Sequence, residues 1–181
     1  MPLLIIDLID NMESKKIFTK MNLQWGFNNV RIKERDEWKE AFTTYIGLFK
    51  LTMIFFEMIN SLATFQAIMN EILEDLVNEG KVAVFVDNIL VGTETKKAHN
   101  EIVEKVLRRL KENDLYVKPE KYTWKVRKIG FLGVVIEPNR IEIEKEKVDG
   151  VLSWLELKNM KDIRKFLGLT TYYRRFIKDF A

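Results

Sequence analysis

Cysteine is absent from these 181 residues, which excludes disulfides, thiolate zinc sites and cysteine nucleophiles and fits an intracellular protein. Histidine occurs once, as His99 among Lys96, Lys97 and Asn100. A histidine-rich metal site is therefore excluded, a catalytic triad is not expected, and His99 itself is expected on the exposed face of a helix. With only 3 prolines and 8 glycines the chain has no linker, low-complexity tract or repeat. No apolar run reaches the ~18 residues of a membrane span, so no membrane partner is expected. The opening Met1-Pro2-Leu3-Leu4-Ile5-Ile6-Asp7 has a short apolar patch but no basic lead-in, which argues against a signal peptide. A dominant charge is lacking too. Thirty Lys and Arg against 27 Asp and Glu leave a net charge of +3, too little to argue for nucleic acid by itself. The basic residues gather at Arg108-Arg109-Leu110-Lys111, from Lys118 to Lys128, and at Arg174-Arg175 with Lys178, a pattern that solvated helix faces and loops explain.

What is present is ordinary globular composition, 47% apolar and 31% charged, enough for one domain with a short appendage. Leu3 to Met12 reads as a short helix and Ile17 to Leu23 as a strand, followed by a Gly26 turn and an extended piece from Asn29 to Ile32. Ala41 to Phe56, centred on Gly47, reads as a hairpin. Asn60-Ser61 offers a cap for a helix carrying Phe65, Met69, Leu73, Leu76 and Val77 as far as Gly80. Lys81 to Val86 and Ile89 to Gly92 are two apolar strands joined through Asp87-Asn88. Thr93 or Thr95 can cap the next helix, which buries Ile102, Val103, Val106, Leu107 and Leu110. Strands are expected at Leu115 to Val117, Lys128 to Ile136 and Arg140 to Ile143, and two helices after Glu144. The order predicts an α+β fold with helices on one face of a mainly antiparallel sheet. A soft boundary near Arg140, where strands give way to helices, divides the chain into residues 1–139 and 140–181.

Asp87-Asn88 carries the chemical question. By local propensity it is a hairpin turn, because Asp and Asn tolerate positive φ at low cost. A carboxylate fixed on such a turn beside an acidic partner on a neighbouring strand would also suit two-metal phosphoryl transfer, in which carboxylates clamp two Mg²⁺ ions.

Phe85-Val86-Asp87-Asn88-Ile89-Leu90-Val91 resembles the polymerase motif of reverse transcriptases, an aromatic, any residue, then two aspartates. Further stretches resemble gypsy-type LTR retrotransposons in the family's order. They are Phe18-Thr19-Lys20-Met21-Asn22-Leu23, Trp25-Gly26-Phe27-Asn28-Asn29, Asn60 to Gln66, Leu107 to Leu110, Lys118-Pro119-Glu120-Lys121, Phe131-Leu132-Gly133, and Phe166 to Leu169 with Tyr172-Tyr173-Arg174-Arg175. The resemblance covers essentially the whole chain. It implies an RNA-directed DNA polymerase palm with partial fingers (1–139) and the start of a helical thumb (140–181), with Mg²⁺ as cofactor and an RNA/DNA primer–template as partner.

Residue by residue, the resemblance makes Asn22, Asp87 and Asn88 the catalytic positions, with Asp87 the one metal-binding carboxylate left. It implies that Phe27, Phe56, Glu57 and Gln66 face the nucleotide, Phe27 as the gate on the sugar 2′ position, and that Phe131, Leu132 and Gly133 form the primer grip. The departures matter more. Asn22 and Asn88 stand where the family has aspartates, and Glu57 where it has a glycine beside the incoming nucleotide. An amide oxygen brings no charge to Mg²⁺, which dehydrates reluctantly, and Glu57 adds bulk and repels phosphate. A competent metal site and dNTP binding are therefore not expected, and the chain is expected to be inactive. A non-catalytic binding module on the same fold and a residual polymerase are the alternatives. The changes at 22, 57 and 88, and Tyr122 in place of a typical cysteine, each follow from a G-to-A transition. Leu51, Leu62, Leu155 and Leu157 in place of proline follow from C-to-T. Together they suggest a decayed copy.

Overall fold

The computed structural model describes residues 5–55, 58–153 and 159–180. Helix α1 (Ile5–Glu13) precedes strand β1 (Ile17–Gln24). A 3-10 turn (Gly26–Asn29) follows, then the hairpin β2 (Ala41–Thr44) and β3 (Gly47–Lys50). Helices α2 (Ser61–Ile72) and α3 (Glu74–Asn78) lead into the second hairpin, β4 (Val82–Phe85) and β5 (Asn88–Thr93). Helix α4 (Lys96–Glu112), β6 (Tyr116–Val117) and β7 (Thr123–Val126) come next. Strands β8 (Ile129–Phe131), β9 (Val134–Glu137) and β10 (Arg140–Ile143) form a separate sheet, and α5 (Lys145–Leu152) and α6 (Met160–Tyr172) follow.

The central sheet runs β4-β5-β1-β6, with β7 also on β1, and every pairing is antiparallel. Side chains alternate across it, so each strand feeds two cores. Met21, Leu23, Val82, Val84, Ile89 and Val91 point to the face covered by α2, α3 and α4. Phe18, Ala83 and Leu90 point the other way, onto α1 and the β8–β9–β10 sheet. Full burial of each large apolar side chain contributes about 1.5–3 kcal/mol, so β1 and β5, buried on both faces, are the most firmly held strands. Helices α2 to α4 cover one face as the pattern predicts. The small sheet behind the other face, whose β9–β10 turn contains the 139/140 division, is the addition. No helix of the described residues is long and apolar enough to cross a membrane.

Several expectations are corrected. The extended piece expected at Asn29–Ile32 starts one residue later: Asn29 ends the 3-10 turn, while Val30 is extended and Arg31 bridges to Met53, with Ile32 N donating to Thr52 O and Ile54 N to Val30 O. Gly26 lies so close to Phe65 that a Cβ would sit 2.6 Å from its ring, and the chain tightens there. The helix running to Gly80 breaks at the buried Leu73 (φ −114°, ψ 16°), turning Leu76 and Val77 onto β4. Asn60 precedes α2 but in the left-handed region (φ 68°) and without a side-chain cap; Thr95, by contrast, caps α4 by accepting from Ala98 N. Strand β7 was hidden among lysines. His99 is not on the surface: it is fully buried, bridging Thr19 and Thr93.

A candidate active site at the β4–β5 turn

The turn itself differs from the expected Asp87-Asn88. Asn88 pairs with Phe85 inside the ladder, and the two connecting residues are Val86 and Asp87. Val86, not Asp87, takes the positive φ of 55°. A β-branched residue there is strained by about 1–3 kcal/mol and needs outside support. Gln66 of α2 supplies it. Its Oε1 accepts from Val86 N at 2.7 Å, and its Nε2 donates to Val84 O at 3.1 Å and Asn70 Oδ1 at 2.9 Å. The Asp87 carbonyl accepts from Leu23 N at 2.9 Å, which locks the turn to β1.

Asn22 and Asn88 are direct cross-strand partners. Asn22 Nδ2 donates to Asn88 Oδ1 at 2.6 Å, and Asn88 Nδ2 donates to Asp87 Oδ1 at 2.9 Å. The three positions named from sequence thus meet in one hydrogen-bonded chain that ends on the single carboxylate. Among the described residues no group of three or more His, Cys, Asp or Glu side chains could hold a metal ion. Beside the chain opens a cleft of about 470 Å³, walled by Leu62, Ala63 and Gln66 of α2 and by Phe85, Asp87 and Asn88.

Phe27 and the residues named for the primer grip sit apart. Phe27 is buried with its ring 4.7 Å from that of Phe65, in the core and not in the wall of this cleft. Phe56 and Glu57 lie outside the described residues. Phe131 is buried in the second core, and Leu132 (φ 51°) and Gly133 (φ 81°) form the β8–β9 turn. Tyr172 Oη donates to Leu132 O at 2.9 Å, and Tyr173 Oη to Gly133 O at 3.4 Å. A Cβ on Gly133 would strike that Tyr173 hydroxyl. The tyrosines are therefore committed to the hairpin, and Arg175 pairs with Asp10 of α1. Burial holds both tyrosine pKa values above the ordinary range.

Sequence reasoning missed two supports. The Gln66 clamp had a signal only in its helical register, opposite the turn. Lys20, which donates to Gly130 O at 2.8 Å and ties the β8–β9 hairpin to the strand carrying Asn22, had none.

Residues 3–136 match the family described as reverse transcriptase (RNA-dependent DNA polymerase). The chain is 32% identical over 174 residues to the Transposon Tf2-7 polyprotein of Schizosaccharomyces pombe, covering 96% of this chain and 13% of that protein. It is 32% identical over 172 residues to the retrovirus-related Pol polyprotein from transposon opus of Drosophila melanogaster, covering 94% of this chain and 17% of that one. It therefore spans less than a fifth of these relatives. Among solved structures, the foamy viral protease-reverse transcriptase in complex with dsDNA superposes with a TM-score of 0.85 at 25% identity, covering 100% of this chain and 37% of that chain. The same enzyme in complex with RNA/DNA hybrid gives a TM-score of 0.81 at 25% identity, covering 96% and 23%.

Proposed function

The chain belongs to the reverse transcriptase family, and on that premise we propose that it is the palm and first thumb helices of a gypsy-type retrotransposon enzyme whose nucleotidyl-transfer centre no longer works. One observation carries the reading: the side chains at 22 and 88 are amides that hydrogen-bond to each other, leaving Asp87 as the one carboxylate. In nucleotidyl transfer, bound Mg²⁺ supplies activation of the attacking oxygen and stabilisation of the leaving one. The residues present do not fit that ion pair. One negative charge stands where the family has three, and a donating N–H, not a lone pair, points from Asn22 to Asn88.

What the chain retains is a surface for nucleic acid. Lys121, Lys125 and Arg127 are exposed, and Trp124, itself 48% exposed, lies under the Lys125 ammonium at 5.0 Å from the ring centre. Basic side chains for phosphate and an exposed aromatic ring on and around β7 suit an RNA/DNA primer–template, and the complexes of the foamy viral enzyme support the same class of partner. The protein would act inside the cell, where a chain without cysteine needs no oxidising compartment. The amides at 22 and 88 also fit a copy decayed by cytosine deamination. Its coding DNA should then carry an excess of G-to-A and C-to-T changes at synonymous sites.

Primer extension on a primed RNA template, with Mg²⁺ and then Mn²⁺, tests the reading. The natural chain is expected to give no extension and yet to bind the primer–template with an affinity that falls steeply with salt. Extension by the unmodified chain would overturn the inactive-centre reading, and salt-independent or absent binding would overturn the nucleic-acid surface.

A further inference from the structure

The cleft beside the β4–β5 turn is a built space and not only a gap next to Asp87. Its volume of about 470 Å³ falls in the range of small-molecule sites. Two elements face each other across it, with Leu62 and Ala63 on α2 and Phe85 and Val86 at the turn, and all four side chains are hydrocarbon. Gln66 fixes the separation of these walls, because its amide bonds at once to Asn70 on its own helix and to Val84 and Val86 on the other side. Leu62 is 46% exposed, so a ligand entering the cleft would take apolar surface out of water.

Most of the polar groups around the cleft are already engaged. Both Nε2 protons of Gln66 and its Oε1 are bonded within the protein. Asn88 accepts from Asn22 through Oδ1 and gives an N–H to Asp87 Oδ1. The second carboxylate oxygen of Asp87 has no partner among the described residues, and it is the one charged acceptor the cleft offers. Among the described residues no lysine, arginine or histidine lines the space. An anion would therefore meet like charge there with no cation to offset it. A protonated amine on an apolar body fits both features, since the ammonium donates to Asp87 while the body covers the hydrocarbon walls.

We infer that this cleft is a binding site for an organic ammonium ion with a compact apolar body, an arylalkylamine being the simplest member of the class. The inference rests on the inactive-centre reading in one respect: Asp87 is open to an organic cation because no metal ion occupies it in the working protein.

Titration of the full chain with phenethylammonium, followed through backbone amide shifts in proton–nitrogen correlation spectra, tests the site. Saturable shifts are expected at Leu62, Ala63 and Gln66 and from Phe85 to Asn88. Phenethyl alcohol keeps the ring and loses the charge, and hydrocinnamate inverts the charge. Each is expected to bind about tenfold or more weaker than the amine. Asp87→Asn is expected to bring the amine down to the level of the alcohol. Ala63→Leu, a change at an exposed helical position that fills the space, is expected to weaken amine and alcohol alike. The inference is overturned by the lack of saturable shifts at these residues, by an anion bound as tightly as the amine, or by undiminished affinity in Asp87→Asn. Repeating the titration in millimolar Mg²⁺ separates this site from the functional reading. Displacement of the amine by Mg²⁺ would sink the inactive centre and leave the amine site standing, whereas a chain that is silent in primer extension and takes no amine would sink the amine site alone.

Discussion

Two polar chains cross the same pair of strands, and they are built under opposite constraints. At the open end of β1 and β5, Asn22, Asn88 and Asp87 are half-buried beside a cleft. At the closed end, Thr19, His99 and Thr93 are buried under α4, with Thr19 and His99 at 0% exposure. The closed chain has only one consistent proton arrangement. Thr93 spends its hydroxyl proton on Thr95 O (3.3 Å), so it must accept from His99 Nδ1 (2.9 Å). Nε2 then accepts from Thr19 at 2.7 Å, and Thr19 in turn accepts from Lys125 N at 3.1 Å. Burial, and then the nearby Lys125 charge, push the His99 pKa below its ordinary value, so the ring is neutral. A polar group sealed from water has to be matched to its partners, because an unmet donor or acceptor costs about 1–3 kcal/mol. The open chain is under no such rule, since water can replace any member. That contrast leaves positions 22 and 88 free to exchange one side chain for a near-isosteric one without loss of the fold.

The sharpest way to break the contrast is His99→Ala. It removes a fully buried ring, leaves a cavity, and strands the Thr19 and Thr93 hydroxyls. A loss of about 3–5 kcal/mol is expected in urea unfolding. Asn88→Ala at the open end is the internal comparison, at about 1 kcal/mol or less. If both cost the same, burial is not what separates the two chains.

A smaller effect is expected from Gln66→Ala. The substitution frees the Val86 N–H and Val84 carbonyl and leaves the strained turn unsupported. The expected loss is about 1–2 kcal/mol, with faster amide exchange confined to residues 84–88. Exchange that rises across the whole sheet would show that Gln66 acts on the core and not on the turn.

These same residues mark how far the sequence was legible. Strand and helix periodicity gives most of the order of elements, the antiparallel β4–β5 pair and Thr93 or Thr95 as the cap of α4, because each depends on neighbours a few residues apart, but it runs β8 and β9 together as one strand from Lys128 to Ile136 and passes over β7. The candidate site is visible only through resemblance: nothing in the local pattern of Phe18 to Leu23 marks Asn22. The Val86 turn is illegible because its strain is relieved by Gln66, 20 residues upstream, while local propensity favours Asp and Asn for positive φ. His99 misleads for a similar reason. Its neighbours Lys96, Lys97 and Asn100 announce a solvent face, whereas the Thr19 that donates to its ring lies 80 residues away.

Acid sharpens the comparison most gently. A histidine held neutral in the native state, with its pKa below the ordinary ~6.5, takes up a proton on unfolding once the pH falls under that value. The unfolded state then binds more protons than the native one. Stability from this source is complete above about pH 6.5 and declines as the pH drops from there toward the lowered native pKa, at no more than about 1.4 kcal/mol per pH unit. Asp75 adds nothing here, since the Arg109 and Lys105 partners hold its carboxyl far below the usual range and its loss begins only as the pH falls through the ordinary carboxylate values. Urea unfolding between pH 7 and pH 5 should therefore show a slope in the natural chain that His99→Phe flattens, while Asp87→Asn at the open end leaves it unchanged. A slope that survives His99→Phe would place the proton elsewhere and remove the electrostatic half of the distinction between the two ends of the sheet.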